Sequence, residues 1–217
     1  MSDTTTPLPL LTSSRMRSFR TCARLHQLTY VEGWRTKTEP EYFRIGHLVH
    51  AGLEAWWQAS QQGGDRLDWA LSTVAGLAFD GYEQVKVEAM LRGYEAAWGP
   101  TAGDYETIAV EQEYRAPLLN PATNLARSRT WDLGGKIDGI AKRIADGRTL
   151  IVEHKTCGEA IDSDEDHYWQ TLALDHQISA YVVGAESLGH KIDEVLYDVL
   201  RKPSQRPLKA TPIESRG

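Results

Sequence analysis

The stretch Gly135-Lys-Ile-Asp-Gly-Ile-Ala-Lys-Arg-Ile-Ala-Asp-Gly-Arg-Thr-Leu-Ile-Val-Glu-His-Lys155 decides how this chain folds. Residues 131–144 and 149–156 each have strand-like patterning, and Asp146-Gly147 lies between them. An Asp-Gly pair between two such runs predicts a hairpin, because both positions tolerate the positive φ of a type I′ turn. A two-residue turn there sets Ala145 opposite Arg148, Asp138 opposite Lys155 and Ile140 opposite Glu153. Cross-strand partners share a face and side chains alternate along a strand, so Asp138, Glu153 and Lys155 are expected to project from one side of the sheet. A bulge between the strands would break that count.

Outward from the hairpin, residues 108–116 alternate apolar and polar like a half-buried strand, residues 168–187 read as helix and residues 193–200 as a last strand. Upstream, Ile45, Leu48, Val49, Leu53 and Trp56 recur at helical spacing, which predicts an amphipathic helix over 41–59. Gln61-Gln-Gly-Gly-Asp65 breaks it, and a further helical stretch covers about 68–97 until Gly99-Pro100. A first helix is expected over 13–30, with Ser13 or Ser14 as its N-cap. Residues 33–40 read as loop. The expected fold is α/β, a central mixed sheet flanked by helices with extra helices at the N-terminus. Residues 1–12 are read as a loose leader, 13–200 as one domain with a helical insertion at about 60–100, and 201–217 as a basic tail, after which more chain could follow.

The 217 residues are two-fifths apolar, enough for a proper core, and carry a net charge of −6. That balance argues against a protein that coats nucleic acid non-specifically, which needs Lys and Arg to replace condensed counterions. A local basic groove remains open. Its candidate pieces are Arg17, Arg20 and Arg24, spaced to share a helical face, and the run Arg201, Lys202, Arg206 and Lys209; each reads equally well as a solvated face. The start lacks a secretory pattern and no apolar run is long enough for a membrane span, so a cytoplasmic location is expected. Two cysteines, Cys22 and Cys157, are too few for a disulfide framework or a complete zinc or iron–sulfur site.

Two carboxylates held close together are costly unless a cation screens them, and such oxygen ligands suit Mg2+ or Mn2+. An ion there can polarise a phosphate oxygen and activate a water for phosphodiester hydrolysis, with Lys155 beside it. Glu-X-Lys in isolation, however, reads as an ordinary cross-strand ion pair.

Four motifs in order change that balance: Gly46-His-Leu-Val-His50, Gly135-Lys-Ile-Asp138, Glu153-His-Lys155 and Gln177-Ile-Ser-Ala-Tyr181. Together they resemble the RecB-type branch of the PD-(D/E)XK nucleases, which also includes CRISPR-associated exonucleases, over nearly the whole chain. The resemblance implies a restriction-endonuclease-like core of order αβββαβ and a metal-dependent deoxyribonuclease, most often an exonuclease, of bacterial or phage recombination, repair or replication. It implies Asp138, Glu153 and Lys155 as catalytic, and His50, Asp138, Glu153 and the backbone carbonyl of His154 as ligands of Mg2+ or Mn2+. Gln177, Tyr181, Arg24 and Gly135 would brace the site or contact DNA, with Gly46 allowing a neighbouring backbone to approach. DNA ends are the implied partner, with a recombinase, annealing protein or helicase beside them. Read from their residues alone, His50 is an ordinary buried histidine and Gln177 with Tyr181 a packing pair.

Some relatives hold an iron–sulfur cluster on one early and three late cysteines. Cys22 sits at the early place and no late trio exists among these residues, so no cluster is expected on them: either none forms or its other ligands lie beyond Gly217. The other histidines, 26, 47, 154, 167, 176 and 190, lack metal-site spacing and read as structural or surface residues. Trp56, Trp57 and Trp169 read as core more readily than as platforms for unpaired bases. Two rival readings stay open: an inactive nuclease fold kept as a DNA-binding scaffold, and a site-specific endonuclease.

Overall fold

A computed structural model describes residues 7–203 except 121, 126, 160, 164–166, 173 and 174. Arg206 and Lys209 of the expected tail, and the first half of the expected leader, lie outside the described residues. The long hairpin forms the middle of the sheet: β2 (Tyr105–Leu119) pairs antiparallel with β3 (Arg127–Arg143), and β3 pairs antiparallel with β4 (Thr149–Cys157). β5 (Glu194–Arg201) adds parallel to β4, so the chain crosses back over the sheet through a helix, as parallel pairing requires. The result is the mixed sheet flanked by helices expected from the sequence.

The hairpin turn is longer than a two-residue loop. Arg143 N–H donates to the Arg148 carbonyl and Gly147 N–H to the Arg143 carbonyl, both at 2.9 Å, which leaves residues 144–147 as the loop. Gly147 has φ +75°, whereas Asp146 does not enter the left-handed region, so the type I′ turn that needs both cannot form. Asp146 instead accepts from Arg148 N–H and from the Arg143 guanidinium. The register therefore moves by two residues, with Gly139 opposite Val152 and Ile140 opposite Ile151. Asp138 is not opposite Lys155. A slip of two preserves the parity of the strands, so the expected shared face survives the wrong register.

β3 has an unusual free edge. β2 lines one side of it, while the other side is taken by β4 only at residues 139–142 and by a two-residue parallel strand β1 (Leu10–Leu11) at Asp132 and Leu133. Past Val152, β4 runs on with β5 alone to Cys157. The sheet thus forks at residues 134–138. β1 lies within the stretch expected as loose leader; no pattern of two residues announces a strand whose existence depends on its partner.

Helices cover both faces. α3 (Glu41–Gln62) lays Ile45, Val49, Leu53 and Trp56 on one face against Ala141, Val152 and Leu200. The stretch expected as one helix after it is two, α4 (Arg66–Leu77) and α5 (Gly81–Trp98), because Asp80 caps α5 by accepting from Tyr82 and Glu83 N–H. On the opposite face α7 (His176–Ser187) packs Ala180, Tyr181 and Ala185 against Ile137, Ile140 and Ile151. Asp175 starts α7 by accepting from Gln177 N–H, which separates it from the short α6 (His167–Leu172) where one helix was expected. The first helix is also broken. α1 (Ser13–Thr21), capped by Thr12 rather than by Ser13 or Ser14, ends at Cys22, whose thiol caps α2 (Ala23–His26), and a wide π-type turn follows over Gln27–Val31. No helix among the described residues is long and apolar enough to cross a membrane.

Candidate metal and phosphodiester site

The fork in the sheet is where the charged residues meet. Where β4 leaves β3, the next backbone N–H on β4 that lacks a strand partner is that of His154, and the Asp138 carboxylate takes it at 2.9 Å. Asp138 Oδ2 also lies 3.5 Å from Nδ1 of His50, which α3 brings up to the same oxygen. Burial lowers the pKa of His50 despite the pull of Asp138, which favours the neutral imidazole that a metal requires.

Glu111 completes a group the sequence reading did not include. One ligand atom each from His50, Glu111 and Asp138 lies within 4.8 Å of the others. Glu111 falls on β2 between Val110, opposite Gly139, and Gln112, opposite Ile137. Its φ of +50° is rare for a residue with a side chain and, three residues after a bulge in the β2–β3 register, turns its carboxylate toward the fork. In this structure Glu111 is ion-paired with Lys136. Burial raises its pKa. Nothing in alternation marks Glu111; the only sequence signal is the acidic pair Glu111 and Glu113 in an otherwise half-apolar strand.

Glu153 is 1% exposed. One of its oxygens contacts the Lys155 ammonium, and the other, Oε2, is buried without a hydrogen-bond partner. Burial first, and the Asp138 charge second, push its carboxyl up to about 7. A buried carboxylate oxygen left without a donor is expensive, and a divalent cation is the partner it fits. His50, Glu111 and Asp138 offer one nitrogen and several oxygens within reach of one another, a donor set that suits Mn2+ or Mg2+, and the Glu153 carboxylate is not part of that group.

Lys155 Nζ donates to Gln177 Oε1 at 2.8 Å, and Gln177 Nε2 donates to the Tyr181 hydroxyl at 2.7 Å. The residues of the fourth motif therefore hold the lysine rather than merely packing against each other. Gly135 lies under Tyr114: a Cβ there would come within 2.8 Å of the Tyr114 hydroxyl, so a side chain would push that ring off the sheet.

Two expected members do not join. Arg24 is on α2, past the break at Cys22, and pairs with Glu32 at 3.6 Å. Gly46 does not serve a close backbone approach, since a Cβ there would meet only Thr156 Oγ1 at 3.7 Å. Arg201 is paired with Asp162, and Lys202 donates to the Tyr42 carbonyl. The His154 ring points to the other face of β4, where Nδ1 lies 3.0 Å from Asp198. Trp56 and Trp57 are buried in the core.

No curated protein matches the sequence. The PD-(D/E)XK nuclease superfamily matches it over residues 10–214, nearly its full length. With that match and a mixed sheet carrying acidic residues and a lysine at its fork, the chain belongs to the PD-(D/E)XK nuclease superfamily, whose members use divalent metals.

Proposed function

We propose that this chain is a Mg2+- or Mn2+-dependent deoxyribonuclease of the RecB-type branch, acting as an exonuclease on DNA ends. The observation that carries the reading is the buried, unpartnered Glu153 Oε2 beside Asp138, at the point where β3 and β4 separate. His50, Glu111 and Asp138 would hold the ion, with Glu153 and the His154 backbone carbonyl as the further ligands that the RecB-type likeness implies. When bound it supplies the charge that polarises a phosphate oxygen and eases deprotonation of water.

The side chains do the rest. Asp138 is fixed in direction by the His154 N–H, so its free lone pairs face His50 and Glu111. Lys155 places a compact ammonium next to Glu153, where negative charge grows on the phosphoryl oxygens during attack. Gln177, itself oriented by Tyr181, keeps that ammonium from folding back onto the carboxylates alone. Recombination, repair or phage replication is the setting that RecB-type likeness suggests, with a recombinase, annealing protein or helicase as the class of protein partner.

Incubation with end-labelled linear DNA and with covalently closed circular DNA, in Mg2+, Mn2+ or EDTA, tests the reading. Metal-dependent loss of the linear label with intact circles is expected. Cutting of circles at discrete positions would make the protein an endonuclease, and no cleavage in either metal would overturn the assignment.

A further inference from the structure

The fork carries two lysines, and they are held differently. Lys155 contacts Glu153 and also donates to Gln177 at 2.8 Å, with its side chain 21% exposed. Lys136 contacts Glu111 and has no second hydrogen-bond or ion-pair partner among the described residues, and its side chain is 52% exposed. One ammonium is braced; the other is tethered at a single point.

The choice of Glu111 is itself informative. In the β2–β3 register Lys136 lies opposite Glu113, which is exposed and is the carboxylate that an ordinary cross-strand ion pair would use. No ion pair joins those two among the described residues. The ammonium takes Glu111 instead, the residue whose φ of +50° turns its carboxylate toward the fork. Its hydrogen bond to Glu111 outweighs the cost of burial and raises the Lys136 pKa, and the charges of Glu111, Glu54 and Asp138 add to the effect. Glu54 is on α3 one turn beyond His50, so acids of α3, β2 and β3 all act on this one ammonium.

Glu111 is also one of the three residues whose ligand atoms converge within 4.8 Å. An ammonium and a divalent cation on the same carboxylate repel each other strongly at contact distance, so the ion and Lys136 compete for it. A lysine released from Glu111 swings on a flexible four-carbon stem. The space open to it is the cavity of about 650 Å³ along the free edge of β3, which both Lys136 and Lys155 line.

We infer that Lys136 is a stand-in cation: it neutralises Glu111 until a divalent ion takes that carboxylate, and the displaced ammonium then binds a phosphate of the DNA. Loading of the ion and grip on the substrate are thereby coupled through one side chain. This rests on the nuclease reading and adds to it a phosphate-binding residue that takes no part in the bond change.

The test compares Lys136→Met with the parent in two measurements that need no cleavage. Mn2+ affinity without DNA, read by calorimetry, is expected to tighten about three- to fivefold once the competing ammonium is gone; a lysine that only props Glu111 in place would loosen it. Affinity for a short fluorescein-labelled blunt duplex, read by anisotropy, is expected to fall about tenfold in saturating Ca2+. In EDTA, where Lys136 is engaged with Glu111, the fall is expected to stay below about twofold. Lys136→Arg keeps the charge and is expected to bind Mn2+ no more tightly than the parent and to retain part of the Ca2+-dependent gain in DNA affinity; melting curves in EDTA control for folding. Unchanged or weaker Mn2+ binding by Lys136→Met, or a DNA defect of equal size with and without Ca2+, overturns the inference while leaving a metal-dependent nuclease intact. The expected pair of shifts in a protein that cuts nothing in Mg2+ or Mn2+ would leave the exchange on Glu111 standing and remove the nuclease reading.

Discussion

β4 carries two buried acid clusters on its opposite faces, and they are solved differently. On the α3–α5 face, Asp198 of β5 meets the His154 ring at 3.0 Å and the Trp98 indole N–H at 3.3 Å, while Tyr94 beside it accepts from the Trp57 indole at 3.1 Å. Burial alone would lower the His154 pKa, but the hydrogen bond and charge of Asp198 outweigh it and raise it. That cluster is closed: each charge has its counterpart. On the α7 face, Glu153, Asp138 and Glu111 lie near two lysines and His50, whose pKa burial lowers, and Glu153 Oε2 faces no donor. Satisfied burial holds a fold together, whereas an acid cluster left short of positive charge is a place built to receive it.

The comparison breaks most visibly at Lys155. Lys155→Ala is expected to lose two to three decades in single-turnover cleavage at saturating Mg2+, about 3 to 4 kcal/mol of barrier, with the ion still bound. Lys155→Arg should rescue only in part, because a planar fork does not fit the place of an ammonium. Near wild-type cleavage by Lys155→Ala at saturating Mg2+ would reduce the lysine to a salt-bridge partner.

Asp198→Ala is the matching cut on the closed face. Leaving His154 buried without its partner should cost about 3 to 5 kcal/mol of stability, read as a lower denaturant midpoint. A variant as stable as the parent would mean that the closed cluster is no more structural than the open one.

Glu153→Gln should do the opposite in metal-free protein. The folded carboxyl, pushed to about 7, binds its proton more tightly than the unfolded one near 4.5. Its contribution to stability is thus fully present below about pH 4.5 and is lost as pH rises through about 7. The glutamine has no proton to lose, so in EDTA at pH 8 the variant should be more stable by about 1 to 3 kcal/mol, with the difference vanishing near pH 4. It should also lose the thermal stabilisation that Mg2+ or Mn2+ gives the parent. A variant less stable than the parent at pH 8 would show that Glu153 is satisfied without metal.

The smallest effect is expected at Gly46. Gly46→Ala on α3 meets only Thr156, so a gain of roughly 0.5 to 1 kcal/mol from helix propensity is expected with cleavage unchanged. Loss of cleavage would show that substrate, rather than protein, passes over this glycine.

The elements that repeat with a period were legible in the sequence: α3, the three hairpin strands and β5 all lie where alternation or helical spacing puts them. The motif residues could be read as a set because strand parity is robust to a slip of two. What was not legible depends on single backbone torsions or on partners far along the chain. Asp146 fails to enter the left-handed region, and the whole register moves. Caps at Cys22, Asp80 and Asp175 cut long helical patterns that apolar spacing alone would continue. β1 exists only because β3 has an edge to offer, and Glu111 reaches the fork only through a conformation that its residue type disfavours.

That conformation of Glu111 has a consequence for evolution in the laboratory. A non-glycine residue held at φ +50° costs roughly 1 to 3 kcal/mol, and glycine there would relieve it. Glu111→Gly would also remove a carboxylate from the fork. A library selected only for heat tolerance would therefore drift toward glycine at position 111 and discard the nuclease, whereas one selected for cleavage would keep the strained glutamate and recover its robustness elsewhere in the chain.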